Sequence, residues 1–360
     1  MRTVEPWSEL RKQLRAFDQK SKGDLKKVHY RLDYLLKQVF AFCFHQSVRV
    51  ALEKIMPIII PKDIPAFSRL INENIFVMDH ERANRQDIRP IEIAIVNLMP
   101  TKIETETQLI RLLSNSPLQI KVTLIGTESY VGTHTSVGHL QKFYKTFSDI
   151  KNQRFDGMII TGAPVEMMEF NEVKYWDELT KIFDYAKTNV QSTIFICWGA
   201  QAALHYYYGL NKYTLDKKLF GVFKHHKFVR FDPLLKGTDE EFYIPHSRHT
   251  SIHFEDIENI PDLSILAGSR DVGASVVRSV DGRQIFLMGH MEYDRDTLKN
   301  EYYRDLDKGL PIDPPKNYFR DEEKTVVVPN WFSTANLIYS NWLNYYVYQV
   351  TPFELDSLNK

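Results

Sequence analysis

Residues 192–209 carry the sharpest chemical signal in the chain. A β-branched apolar run, Ser-Thr-Ile-Phe-Ile, ends at Cys197, and a helix-forming stretch, Trp-Gly-Ala-Gln-Ala-Ala-Leu-His-Tyr-Tyr-Tyr-Gly, follows directly. That order puts a thiol at the mouth of a sheet, beside the free N–H groups of a helix N-terminus. Those groups and the helix dipole favour thiolate over thiol, so a cysteine there suits a nucleophile. A lone cysteine after a strand equally suits an inert core position. Gly199 favours the first reading, because a glycine two residues past the nucleophile lets the backbone turn sharply. The Trp198 N–H would then help hold an oxyanion, with a second donor at Ala163 in the Gly162 loop.

A second apolar run, residues 284–288, leads into Gly-His-Met-Glu-Tyr-Asp at 289–294. His290 and Glu292 stand two apart, so in an extended segment both side chains project to one side. A carboxylate would then steady the imidazole that serves the cysteine; an ordinary polar loop fits the same spacing. Cysteine, histidine and glutamate, each at the end of a strand, are the parts of an acyl-transfer site. The histidines at 246, 249 and 253 lack the spacing of a structural zinc site, and His225-His226 is no stronger. No metal is expected, and neither a phosphate loop nor a dinucleotide fingerprint occurs.

Elements that could position these groups alternate along the chain. Residues 91–98 read as a strand, 104–114 as an amphipathic helix, and 120–125 and 155–161 as further strands. Asn171 looks like an N-cap, with Trp176, Leu179, Phe183 and Ala186 on one helical stripe. Strand–helix alternation predicts an α/β fold with a parallel sheet covered on both faces and its site at the strands' carboxyl ends. Residues 220–280 are less regular and predict a mixed or antiparallel extension. The aromatic stretch 341–348 predicts a helix docked on the core.

At 360 residues the chain can bury a large core. Lys+Arg and Asp+Glu both total 46, so overall charge gives no argument for nucleic acid or a membrane surface. The charge is uneven: residues 1–55 hold 12 Lys/Arg against 6 Asp/Glu, leaving 34 against 40 for the rest. Two cysteines, Cys43 and Cys197, exclude a disulfide framework and fit a reducing cytosol. No apolar run approaches the roughly 18–20 residues of a membrane helix, and no secretory signal is evident, so a cytoplasmic protein is expected. Residues 1–55 read as an N-terminal extension, disordered or created by an upstream start, with helices around 28–55. The catalytic domain is expected over 56–360, opening on Met-Pro-Ile-Ile-Ile-Pro at 56.

Longer blocks carry a family resemblance. Residues 97–108 (Asn-Leu-Met-Pro-Thr-Lys-Ile-Glu-Thr-Glu-Thr-Gln), 112–119, 156–164 (Asp-Gly-Met-Ile-Ile-Thr-Gly-Ala-Pro), Cys197-Trp198, 245–248 (Pro-His-Ser-Arg) and 289–294 resemble the homoserine O-acyltransferases of methionine biosynthesis. The resemblance runs from 56 to about 355. It implies a class I glutamine amidotransferase-like fold, with a mostly parallel flavodoxin-like sheet, helices on both faces and additional mixed elements. It also implies a homodimer, acetyl-CoA as co-substrate without a bound cofactor, and L-homoserine as acceptor.

Carried over by position, the resemblance makes Cys197 the acyl-thioester nucleophile, His290 the proton acceptor and Glu292 the third member. Lys218, Ser247 and Arg304 fall where the family contacts substrate. Arg304 suits a bidentate hold on a carboxylate; alone, it would read as an i,i+4 helix salt bridge, Lys218 as a solvated charge and Ser247 as a loop hydroxyl. Glu166 falls where glutamate goes with acetyl and a small residue with succinyl transfer. Its charge would repel a succinyl carboxylate and leave acetyl indifferent. Met291 stands where many relatives have proline, and residues 135–139 depart from the usual family wording. The expected reaction gives O-acetyl-L-homoserine and CoA. Alternatives are succinyl transfer, serine as acceptor, a glutaminase or cysteine peptidase on the same scaffold, and a cysteine redox sensor.

Overall fold

The alternating pattern folds into one mixed sheet with helices against both faces. The computed structural model describes residues 58–352, apart from 74, 76, 80–82, 84–88 and 130–136, together with residue 355. All of these belong to the unit Met56–Lys360. The expected extension, 1–55, with its helices around 28–55, lies outside the described residues, as do residues 135 and 136.

The strands are β1 (Ile58–Ile59), β2 (Val77–Met78), β3 (Ile91–Val96), β4 (Ile120–Ile125), β5 (Tyr144–Lys145), β6 (Phe155–Ile160), β7 (Val190–Ile196), β8 (Tyr213–Lys227), β9 (Glu241–Ser251), β10 (Leu263–Ser269), β11 (Gly273–Ser279) and β12 (Gln284–Leu287). Their order across the sheet is β2-β1-β4-β3-β6-β7-β12-β11-β10-β8-β9, with β5 beside β4. From β2 to β12 every pairing is parallel; from β12 to β9 every pairing is antiparallel. The run β4-β3-β6-β7-β12 has the flavodoxin-like order, in which ligands bind beyond the strands' carboxyl ends. The expected mostly parallel α/β sheet with a mixed extension is therefore what forms.

The helices are α1 (Pro65–Asn72), α2 (Lys102–Leu113), α3 (Val137–Phe143), α4 (Phe147–Ile150), α5 (Trp176–Asn189), α6 (Trp198–Tyr208), α7 (Phe254–Glu258), α8 (Thr297–Asp307) and α9 (Phe332–Asn341). The two-residue period of β3 divides the core. Ile93 and Ile95 join Leu109, Leu113, Ile338 and Trp342 on one face, while Ala94 and Val96 join Phe183, Phe195 and Leu204 on the other. A smaller cluster, with Phe220, Tyr293, Leu298, Tyr302 and Trp331, seats α8 beside β8.

Two expectations need correction. Asn171 does not cap α5; it lies within a single 3₁₀ turn, Phe170–Glu172, and α5 begins at Trp176. Val173, extended at φ −70°, ψ 121°, separates the two, so no continuous helix connects them. The stretch 341–348 is only partly as expected. α9 ends at Asn341 and continues as a π-helical segment, Trp342–Tyr348, with Trp342, Leu343 and Val347 buried. Trp342 fits against β6 because Gly157 has no side chain; a Cβ there would lie 2.9 Å from the indole and 2.7 Å from Ile93.

Candidate active site

Cys197 sits on a strained elbow between β7 and α6, at φ 50°, ψ −115°, a positive φ that non-glycine residues rarely adopt. Two backbone bonds hold it there. Its N–H donates to the Leu287 carbonyl of β12 at 2.7 Å, and its carbonyl accepts from Gln201 N–H at 3.1 Å. Gly199 makes the elbow possible, since a Cβ at that position would lie 2.6 Å from the Thr161 carbonyl oxygen. Gly162 is packed against the flank of Cys197: a Cβ on the glycine would lie 3.4 Å from Cys197 Cβ and 3.7 Å from His290 Cε1. The sulfur-bearing residue and the imidazole therefore meet against one loop.

His290 Nδ1 lies 2.7 Å from Glu292 Oε1, with both side chains about nineteen-twentieths buried. The segment joining them is not extended as expected but a turn, in which Tyr293 N–H reaches the His290 carbonyl at 3.3 Å. The start of the turn is anchored by a tertiary tie, His290 N–H to the Pro245 carbonyl of β9 at 2.8 Å. Tyr293 stacks under the imidazole, ring centroids 4.2 Å apart. Burial is the largest single influence on His290 and disfavours its charged form. The Cys197 sulfur and the Glu292 carboxylate together outweigh it, so the imidazole's pKa stands well above its ordinary value.

These groups face a cleft of about 1250 Å³ that also takes in Ala163, Glu166, Lys218, Ser247 and Arg304. Trp198 is the one site residue named from sequence whose side chain does not line it. Its ring is buried against Phe170 and Tyr175, and its N–H, the first of α6, has no intrahelical acceptor. On the cleft's other wall, the β3–α2 loop is pinned by Lys102 Nζ to the Asn97 carbonyl at 2.6 Å and by Leu98 N–H to Thr161 Oγ1 at 2.8 Å. Burial of Lys102, opposed by the charge of Glu106, lowers its pKa to about 8.

Sequence reasoning missed Glu301. Its Oε1 accepts from Lys218 Nζ at 2.7 Å and from Ser247 Oγ at 2.8 Å, and lies 3.7 Å from the Arg304 guanidinium. One carboxylate thus gathers β8, β9 and α8 into a single polar wall. The available signal was its position one helical turn before Arg304. Lys218 is accordingly not a solvated charge, and Ser247 stands on a strand rather than a loop. Arg304 pairs at i,i+3 rather than i,i+4. Its Nε also donates to Asp305 at 2.7 Å, while more than half the side chain stays exposed at the cleft.

Arg248 was equally unmarked as a functional residue. It is almost wholly buried, and its donors go to the Thr250 and Val272 carbonyls at 2.8 and 2.7 Å. Among the described residues no carboxylate pairs with it. Burial lowers its pKa, while Cys197, Tyr213 and Glu166 act the other way.

The histidines of 246–253 stand in three different surroundings. His246 is buried and stacks on His225, with Nε2 atoms 3.2 Å apart. His249 lines the cleft, and His253 stacks on Tyr213. Among the described residues no group of three or more possible ligands gathers, and no helix is long and apolar enough to cross a membrane. His139, from the segment that departs from the family wording, is buried against Glu106 outside the cleft.

Known proteins are similar to this chain over most of its length. The chain is 56% identical over 301 residues to homoserine O-acetyltransferase 1 of Ilyobacter polytropus, covering 83% of this chain and 100% of that one. It is 58% identical over 302 residues to the homoserine O-acetyltransferase of Clostridium acetobutylicum, again covering 83% and 100%. Among solved structures, a glutamine amidotransferase from Thermotoga maritima superposes with a TM-score of 0.47 at 11% identity, over 71% of this chain and 98% of that one. The sequence model of the family described as homoserine O-succinyltransferase matches residues 57–353. With that span and these identities, the chain belongs to the homoserine O-succinyltransferase family.

Proposed function

We propose that this protein is a homoserine O-acetyltransferase that works through a cysteine thioester. The observation that carries the proposal is the meeting of Cys197 with the buried His290–Glu292 pair in a cleft whose far wall is built on Glu301 and Arg304. Both relatives named above are homoserine O-acetyltransferases.

The Cys197 thiolate attacks the acetyl-CoA carbonyl carbon, and the resulting oxyanion is held by the N–H groups of Trp198 and Ala163. The carbon–sulfur bond to CoA breaks, and the departing thiolate takes the proton from His290. Neutral His290 then removes the γ-hydroxyl proton of homoserine. The alkoxide attacks the thioester, the carbon–sulfur bond to Cys197 breaks, and the thiolate–imidazolium pair is restored. Glu292 holds the imidazole's orientation and favours its charged form. Arg304 and Lys218 bind the amino-acid carboxylate, while Glu301 and Ser247 take the ammonium group. Dividing the transfer in two yields ping-pong kinetics.

Succinyl transfer is the second reading, favoured by the family's description. Glu166 argues against it, because a carboxylate lining the cleft repels the succinyl carboxylate. The product belongs to methionine biosynthesis. We read the enzyme as a cytoplasmic homodimer with residues 1–55 as an extension ahead of the catalytic unit.

Incubation with acetyl-CoA should add one acetyl group to Cys197, detectable by intact mass and peptide mapping. Homoserine should then discharge it as the O-acetyl ester. An acetylated Cys197→Ala variant, or an adduct that homoserine leaves in place, would rule the scheme out.

A further inference from the structure

Glu166 occupies a corner of an exposed turn between β6 and the Phe170–Glu172 helical turn. Met168 N–H bonds back to the Val165 carbonyl at 3.0 Å, leaving Glu166 and Met167 at the two central positions. Pro164, Met167 and Met168 are all exposed. Only Val165, at the start of the turn, packs against the core, which leaves the direction of the Glu166 side chain unfixed by packing.

What fixes it comes from 46 residues away. Lys212 Nζ donates to the Glu166 carbonyl and to the Met168 carbonyl, each at 2.6 Å. Among the described residues these are the only hydrogen bonds tying residues 164–168 to a distant part of the chain. Lys212 follows Gly209, the left-handed cap of α6 at φ +70°, and stands just before β8. Its ammonium also lies 5.2 Å from the ring centre of buried Phe170, which stacks on His205 of α6 at 4.6 Å. The lysine thereby links the Glu166 turn to the helix that starts beside the nucleophile.

The geometry points to Lys212 as the positioning residue of the acyl-donor gate: by clamping both carbonyls it keeps the Glu166 carboxylate facing the acyl pocket. This rests on the reading of Glu166 as the donor selector. Loss of the clamp lets the turn swing, so the charge no longer opposes a longer, anionic acyl group. A guanidinium in place of the ammonium keeps both donors and therefore the gate. The residue touches neither substrate nor reacting atoms in this scheme, so the deacylation step with homoserine does not depend on it.

The test compares kcat/KM for acetyl-CoA and succinyl-CoA in the parent, Lys212→Met, Lys212→Gln, Lys212→Arg, Glu166→Gly and the Glu166→Gly/Lys212→Met double variant. Lys212→Met should narrow the acetyl preference by about tenfold and raise the KM for acetyl-CoA. Discharge of the acetyl-enzyme by homoserine should stay at the parent rate, and Lys212→Arg should restore the preference. In the double variant Lys212→Met should add nothing to the shift already produced by Glu166→Gly. A parent-like donor ratio in Lys212→Met beside a shifted Glu166→Gly would overturn the positioning role and leave the Glu166 reading intact. Full additivity in the double variant would do the same. An unshifted Glu166→Gly would instead remove the Glu166 reading and this proposal with it. Should Lys212→Met not fold, Lys212→Gln, whose shorter side chain cannot reach both carbonyls, should show the same narrowing, and a parent-like ratio there would overturn the positioning role.

Discussion

Replacing Glu292 with glutamine removes one negative charge from a buried pair and leaves the side chain's shape nearly unchanged. In the native protein Oε1 lies 2.7 Å from His290 Nδ1, and both side chains are about 5% exposed. Water therefore cannot take over the lost role. The amide oxygen can still accept from Nδ1, so the loss is the charge assistance, about 2–3 kcal/mol. At about 1.4 kcal/mol per decade this is a roughly 30–150-fold fall in kcat/KM. Glu292 Oε2 is buried with no hydrogen-bond partner among the described residues, so the new NH₂ group would also stand unpaired there. Because an unpaired oxygen already stands there in the native protein, this exchange by itself changes stability little.

The pH dependence follows from the direction of the His290 shift. An imidazole whose pKa is higher folded than unfolded binds its proton more tightly in the folded protein. Its stabilisation is complete below the unfolded value of about 6.5 and disappears as pH rises through the folded value. Native and Glu292→Gln proteins should therefore differ most in unfolding free energy at pH 6 and below, and converge in alkaline solution. Iodoacetamide modification of Cys197, resolved from Cys43 by peptide mapping, reports the thiolate directly. It should slow in the variant at pH 7. Alkylation and kcat/KM at pH 7 both within threefold of native would refute the claim that this carboxylate sustains the imidazolium.

Gly199→Ala places a Cβ 2.6 Å from the Thr161 carbonyl and 3.1 Å from that of Ile160. Because backbone cannot yield as a side-chain tip can, about 1–3 kcal/mol of stability should be lost in urea titrations, and wild-type stability would show the elbow is looser than described. Glu301→Gln should raise the homoserine KM about tenfold or more, since Lys218 and Ser247 lose their charged anchor. The rate of Cys197 acetylation should not change, and a slowed first half-reaction would place Glu301 elsewhere in the mechanism. Tyr339 is fully buried with a hydroxyl that has no partner among the described residues. Tyr339→Phe should thus leave stability within about 1 kcal/mol of native or raise it, whereas a loss beyond about 2 kcal/mol would mean the hydroxyl is bonded.

How far the site could be read from sequence depended on how local each cause was. The Cys197 elbow was readable because an apolar run, a cysteine and a glycine lie within eight residues, and strand and helix periods change at that point. The His290–Glu292 contact was anticipated from spacing for the wrong local reason. The turn that brings the two together starts at a residue anchored to Pro245, 45 positions earlier, and no local pattern records that bond. Glu301 was invisible as a hub because its partners Lys218 and Ser247 lie 83 and 54 residues away. The false N-cap at Asn171 shows the opposite limit: a capping residue type was present, but extended Val173 started the helix later.

By itself, the sequence determined the alternation of strands and helices, the thiol at a strand's end, and the family to which these blocks belong. Those are consequences of side-chain periodicity and of contiguous motifs, which survive in one dimension. Tertiary structure alone decided which polar groups meet: Arg248 buried on backbone carbonyls, Glu301 shared by three elements, and Lys212 clamping the Glu166 turn. Hydrogen bonds and desolvation act over a few ångströms between residues far apart in the chain. Their pairing exists only once the sheet order has brought the ends of β6, β7 and β12 side by side.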